Sequence, residues 1–150
     1  MYKRFGPVRV LFLALLATLA GGCTTQQVAP ASAGVPGLGP VLTVERFLQA
    51  TSVKDLATMA ALFGTHDGPI GGRREDTELR MNAIALALEH QDYEIGAETQ
   101  VPGRTHPTRR IGVTLTRGTS RFADVPFLVV ESGNGSWLIE EIGLDQMTGR

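Results

Sequence analysis

The chain has 150 residues, 43% hydrophobic and 19% charged, with a mean hydropathy of +0.04, values typical of an ordinary globular domain. Residues 1–22 hold three basic side chains and no acidic one, so the whole-chain net charge of −1 becomes −4 from residue 23 onward. This negative charge argues against nucleic acid as a partner, because phosphate backbones are bound by basic surfaces. The single cysteine excludes an intrachain disulfide and any multi-cysteine metal site.

The N-terminus has the pattern of a secretory signal peptide. Basic residues lie within Met1–Arg9, an apolar run follows over Val10–Ala20, and two glycines precede Cys23. The apolar run is shorter than the roughly 20 residues that a transmembrane helix needs. Its length therefore argues against a membrane-spanning anchor.

The segment Leu19–Cys23, LAGGC, resembles the lipobox of bacterial lipoproteins, although Ala20 stands where that motif most often has leucine. The resemblance implies a signal peptide at residues 1–22 and a lipid-modified, then N-acylated, Cys23. Two or more acyl chains give stable anchoring, so the protein is expected on the cell envelope, facing the periplasm or the exterior. The residue after Cys23 is Thr24 and not the aspartate that resembles an inner-membrane retention signal in some Gram-negative bacteria. This difference favours the outer membrane. The alternative is a secreted protein cut near Gly22.

Residues 23–40 are predicted to be the acylated cysteine and a flexible tether. Thr24–Pro40 contains three prolines, three glycines and four small Ala or Ser residues, and it has no charge and no periodicity. That composition is typical of a linker. The folded domain is therefore predicted to occupy residues 41–150.

Three helices are predicted at the start of this domain. Thr43 is expected to cap the first helix, and Ser52 with Asp55 forms a capping-box-like start for the second, which Gly64 would end as a left-handed cap. The third helix is predicted over Glu75–Gln91. Its apolar residues are spread around most of its circumference, which predicts a helix buried between other layers.

Four strands are predicted after the helices, at about 93–101, 111–116, 125–131 and 137–144, because apolar residues there alternate with a period of two or form short runs. Asn134-Gly135 is a strong hairpin signal before the last strand. A change of phase at Glu140-Glu141 predicts a bulge. The fold class is therefore α+β, with three N-terminal helices packed on a curved four-stranded antiparallel sheet.

The segments VERFLQATSVKDLATMAALFG (44–64) and PFLVVESGNGSWLIEEI (126–142) resemble the first helical pair and the final hairpin of the NTF2-like, cystatin-like superfamily. The resemblance implies a cone, in which a curved sheet wraps around a helix and the mouth often holds a ligand. Members similar to ketosteroid isomerase combine an acidic base with a tyrosine or a protonated acid. Here Glu94 and Glu98 are predicted to lie on the outer, wet face of the first strand, so the acid is missing from the expected place.

Four residues are candidates for ligand binding: Tyr93, Trp137, His66 and Asp67. Tyr93 and Trp137 are expected on the apolar faces of their strands, where core packing is the alternative role. His66 and Asp67 follow the second helix, close to the mouth of an NTF2-like cone, and the alternative is an exposed turn. No catalytic set is recognised among these residues.

The remaining patterns give no cofactor and no metal site. The three histidines have neither HExxH nor i,i+4 spacing, and Gly68–Arg74 lacks the spacing of a phosphate-binding loop. The favoured function is a non-catalytic, lipid-anchored envelope protein that binds a small apolar ligand or an envelope protein. The alternatives are an isomerase- or hydratase-type enzyme and a structural assembly subunit, which would form a homodimer through Leu128 and Val130 on the outer face of the sheet.

Overall fold

A computed structural model describes residues 37–148, and these residues form an α+β domain with one four-stranded antiparallel sheet. The strands of this sheet lie in the order β3-β4-β5-β6, and β1 and β2 form a separate two-stranded hairpin. The elements are α1 (Pro40–Ser52), α2 (Leu56–Leu62), β1 (Gly64–Thr65), β2 (Gly68–Pro69), α3 (Arg74–Ala87), β3 (Asp92–Gln100), β4 (Thr108–Arg117), β5 (Ser120–Glu131), β6 (Trp137–Ile142) and α4 (Asp145–Thr148). No helix among them is long and apolar enough to cross a membrane.

Helix α1 covers the sheet and contacts all four of its strands. Its stripe of Val44, Phe47 and Leu48 is fully buried. The helix begins at Pro40, because proline fits the first helical turn, where its missing N–H has no partner to lose. The expected cap at Thr43 is therefore wrong: this residue lies inside the helix and donates its hydroxyl to the Gly39 carbonyl at 3.1 Å.

Helix α2 begins later than predicted. Asp55 is its N-cap and accepts the Thr58 backbone N–H at 3.0 Å, while Ser52 is the last residue of α1 and donates to the Gln49 carbonyl. The predicted cap at Gly64 is also wrong, because the chain turns extended at the preceding residue and Gly64 opens β1. Gly64 and Thr65 pair there with Pro69 and Gly68 of β2.

Helix α3 ends at Ala87 rather than Gln91, and the prediction that it lies buried between layers is wrong. It packs mainly against α2. Met81 and Ala85 are buried, but Leu79 is 71% exposed and Leu86 52%. Apolar residues all round a helix do not bury it when one side of the helix faces solvent. The fourth helix, α4, has no counterpart among the predicted elements.

Each neighbouring pair of strands in the sheet carries one register shift, the kind of irregularity that bends a strand. The bulge predicted at Glu140-Glu141 is confirmed, since Glu141 pairs with Leu128 and Ile139 with Val129, which leaves Glu140 as the extra residue. The predicted hairpin turn is confirmed as well. Gly135 adopts φ 79°, which favours glycine, and the Ser132 N–H donates to the Ser136 carbonyl.

The outer face of the sheet is partly covered by the chain itself. Val130 and Leu138 pair with each other there, and both are buried. The loop before β4 reaches this side, where Arg104 forms an ion pair with Glu140. Of the two residues expected to support a homodimer, Val130 is thus already buried within one chain and Leu128 is half-buried.

Candidate functional site

An open, mainly apolar groove of about 360 Å³ lies between α3 and β6, and we call it the α3–β6 groove. Five of its eight lining residues are apolar and three are charged. The lining residues are Phe63, Arg80, Ala83, Ile84, Glu140, Glu141, Ile142 and Leu144. A neighbouring hollow of about 250 Å³ shares Phe63, Arg80 and Glu140 with it and extends it beneath the β1–β2 hairpin.

The groove exists because the chain leaves α2 in an extended conformation. Phe63 has φ −110° and ψ 128°, and it forms an isolated bridge with Ile139 at the outer edge of β6. The next residue, Gly64, lies so close to β2 that an added Cβ would collide with the Gly68 carbonyl. The hairpin lies beside β6, and its turn is hydrogen-bonded through His66 to Glu131 and Gly133. Residues 70–73 then lead into α3, which faces the far part of β6 across the groove.

The three charged side chains that line the groove differ in the partners they contact. The Arg80 guanidinium lies 5.1 Å from the centroid of the Phe63 ring, a cation–π contact. Glu140 Oε2 is buried and lies 3.3 Å from Arg104 Nη1, yet it accepts no hydrogen bond, so the contact is an ion pair only. Glu141 is exposed and has no ion pair or side-chain hydrogen bond within residues 37–148.

The predicted site residues His66 and Asp67 lie in the turn of the β1–β2 hairpin. His66 Nδ1 donates to the Glu131 carbonyl at 2.8 Å, and its ring stacks on that of His106 with centroids 3.5 Å apart and planes 5° apart. Asp67 is exposed beside a hollow of about 370 Å³ that Ser132, Gly133 and Asn134 also line. The stack joins two loops that lie 40 positions apart in the sequence, so the first role the geometry gives His66 is structural.

Trp137 lies at the same end of the sheet as His66. It packs against the core, and the Arg109 guanidinium lies 5.9 Å from its ring centroid. Arg109 also forms an ion pair with Glu98 at 2.9 Å. Glu98 is exposed as predicted, but the predicted outer face is wrong, because a register shift after Ile95 places Glu98 on the side of the core residue Ile111, with which it pairs.

Tyr93 lies at the other end of the sheet. It is half-buried against the core, and the edge of its ring meets His90 with centroids 5.5 Å apart. Tyr93 pairs with Leu115, whereas Trp137 pairs with Glu131, one residue beyond the pair of Val130 with Thr108 at the start of β4. Thr108 and Leu115 are seven positions apart in β4, which is roughly 23 Å. The structure therefore brings together His66, Asp67 and Trp137 but not Tyr93.

The α3–β6 groove was not among the predicted sites. Two signals in the sequence point toward it. Helix α3 has more apolar residues than one buried face can use, and Ile142 and Leu144 follow a change of phase in β6. Neither signal says that these segments lie side by side, because that depends on the path of the chain through Phe63.

Cys23 lies outside the described residues. Within them, no group of three or more His, Cys, Asp or Glu side chains is placed to hold a metal ion. No protein-family model matches the chain, and no curated protein matches it significantly.

Proposed function

We propose that this protein is a non-catalytic binding module that holds a small apolar ligand or a segment of an envelope protein in the α3–β6 groove. The observation that carries the proposal is the groove itself. Its volume of about 360 Å³ lies near the lower end of the roughly 300–1,000 Å³ usual for ligand sites, and its lining is mostly apolar with a few charged groups at the rim.

We also propose that the protein is held on the bacterial envelope by a lipid anchor. Leu19–Cys23 supports a lipid anchor on Cys23, and the uncharged residues after it support a tether that holds the domain away from the membrane. Thr24 supports the outer membrane of the bacterial envelope.

An NTF2-like cone is the fold family that we propose. Its support is the resemblance of residues 44–64 and 126–142, together with a helix, α1, that crosses the face of an antiparallel sheet whose strand pairs all carry register shifts.

The binding proposal can be tested with the fluorescent apolar probe anilinonaphthalene sulfonate and an unlipidated chain that begins at Thr24. Ile84→Glu places a charge on the helical wall of the groove, and Leu86→Glu places the same charge on the exposed side of the same helix. We expect the first change to weaken probe binding by about tenfold and the second to leave it unchanged. Equal binding by both variants and the parent chain would contradict the proposal.

The anchor can be tested in cells with globomycin and with Cys23→Ala. Acylation and membrane retention, read by detergent partitioning, are expected to disappear together. A soluble product cut before Cys23 in both strains would refute the anchor.

An isomerase- or hydratase-type enzyme is the second candidate, and one observation favours it: Glu98 faces the inner side of the sheet beside Arg109 and Trp137. Tyr93 pairs with Leu115, four positions along β4 from the partner of Glu98, which is roughly 13 Å, so the oxyanion donor would have to be another group. Glu98→Gln should abolish turnover of a β,γ-unsaturated ketone if Glu98 is the base, and no turnover by the parent chain would count against this candidate.

A further inference from the structure

The outer edge of β6 is only partly paired. The sheet ends at β6, and Phe63 pairs with this edge at Ile139. Within residues 37–148, no strand pairs with it from Glu140 to Ile142. These are the residues of β6 that line the α3–β6 groove.

An unpaired strand edge presents backbone N–H and C=O groups with which another extended backbone can pair. Here the bulge at Glu140 interrupts their spacing, and the Ile142 carbonyl already accepts the Leu144 N–H. Phe63 shows that the edge accepts an extended residue at one position. From there the groove continues along β6, with Ile84 of α3 as its opposite wall. An added strand would therefore have an apolar wall to pack against as well as an edge to pair with.

The two faces of β6 differ in chemistry along this segment. Ile142 pairs with the buried Phe127 and so faces the core side, whereas Glu141 pairs with Leu128 on the outer side. Successive side chains of a strand point to opposite faces. A segment that pairs here therefore places one side chain beside Ile142 and the next beside Glu141. The first of these positions favours an apolar residue and the second a basic one.

Charge distinguishes this partner from a second copy of the chain. Two β6 strands paired about a two-fold axis at this point would bring carboxylates of Glu140 and Glu141 against each other, and like charges on facing strands are destabilising. Glu141 has no ion pair within the described residues. A basic side chain on the partner would supply one.

We propose that the α3–β6 groove binds an extended protein segment with alternating apolar and basic residues, which adds to the sheet as a fifth strand beside β6. This inference rests on the proposed function, because it names the partner of the same groove. The apolar side chains enter the groove next to Ile84 and Ile142. The basic ones lie on the outer face next to Glu141.

The test uses the full chain in phosphatidylcholine nanodiscs, with empty nanodiscs as the blank. The probes are a six-residue peptide that alternates Val and Lys, the same peptide with every backbone nitrogen methylated, and a peptide that alternates Val and Glu. We expect the Val-Lys peptide to bind and to protect the amides of Glu140–Ile142 from hydrogen exchange. We expect methylation to weaken its binding by about tenfold or more, because the backbone hydrogen bonds are lost.

A charge reversal tests the register. Glu141→Lys should shift preference from the Val-Lys to the Val-Glu peptide, whereas Glu89→Lys, an exposed site outside the groove, should leave the preference unchanged. Equal affinity of methylated and unmethylated peptides, or no peptide binding at all, overturns the strand-addition inference. If the apolar probe still binds and Ile84→Glu still weakens it, the proposed function stands. Loss of that probe result means that the groove itself is not a binding site.

Discussion

Helices α1 and α3 have 13 and 14 residues and very different surroundings. α1 lies across the sheet and buries its whole apolar stripe, whereas α3 packs mainly against α2 and leaves Leu79 and Leu86 exposed. The difference shows that the position of a helix relative to the sheet, more than its apolar content, decides what it buries. α1 is therefore the core of the fold, and α3 is a wall of the α3–β6 groove.

The largest expected loss of stability comes from a substitution in α1. Phe47→Ala removes a fully buried aromatic side chain that packs near Phe63, with ring centroids 6.3 Å apart. We expect a loss of about 3–5 kcal/mol in the free energy of unfolding, because the lost burial adds to the cost of a cavity. Urea unfolding followed by the fluorescence of Trp137, the only tryptophan, measures it. A loss below about 1 kcal/mol would mean that α1 is not the core helix.

A smaller effect on the free energy of unfolding is expected at Asp55, the N-cap of α2. This helix lies between α1 and α3 in the chain. The pKa of Asp55 is lowered by hydrogen bonds from the Thr58 side chain and backbone. Its carboxylate therefore stabilises the fold above the pKa of the unfolded state, and this contribution disappears as the pH falls through the lowered folded-state value. Asp55→Ala should cost about 1 kcal/mol at neutral pH and progressively less below about pH 4. A cost that is equal at both pH values would contradict the capping role.

The smallest effect is expected on α3. Leu79→Gln replaces a side chain that is 71% exposed, so the free energy of unfolding should change by less than about 0.5 kcal/mol. Thermal unfolding of Leu79→Gln and of Phe47→Ala, measured under the same conditions, compares the contributions of α3 and α1 to stability. A loss as large as that of Phe47→Ala would show that α3 is buried after all.

Much of the fold could be predicted from the sequence, because its signals are local. The alternation of Ile111, Val113 and Leu115 identifies a strand with one buried face, and all three side chains are fully buried. Asn134-Gly135 identifies the last hairpin in the same way. The start of α2 is harder to predict from the sequence, because Ser52 and Asp55 are both good capping residues. The packing of α1 against α2 decides which of them is the N-cap.

The site was harder to predict than the fold, because it depends on register and chain path. The alternating pattern of β3 predicts the wrong face for Glu98, because the strand has one extra residue between Ile95 and Glu98. A shift of one position exchanges the two faces of a strand. The groove depends on Phe63 leaving α2 extended, and residues 63, 84 and 142 come together only through that path. No local pattern in the sequence specifies such a meeting.

The most direct test of the α3–β6 groove as a binding surface is a methyl NMR titration of the unlipidated chain with anilinonaphthalene sulfonate. We predict that the methyl signals of Ile84, Ile142 and Leu144 shift together as the probe saturates, while those of the buried Leu48 and Ile111 stay in place. Saturating binding with no shift at the three groove residues would contradict the account.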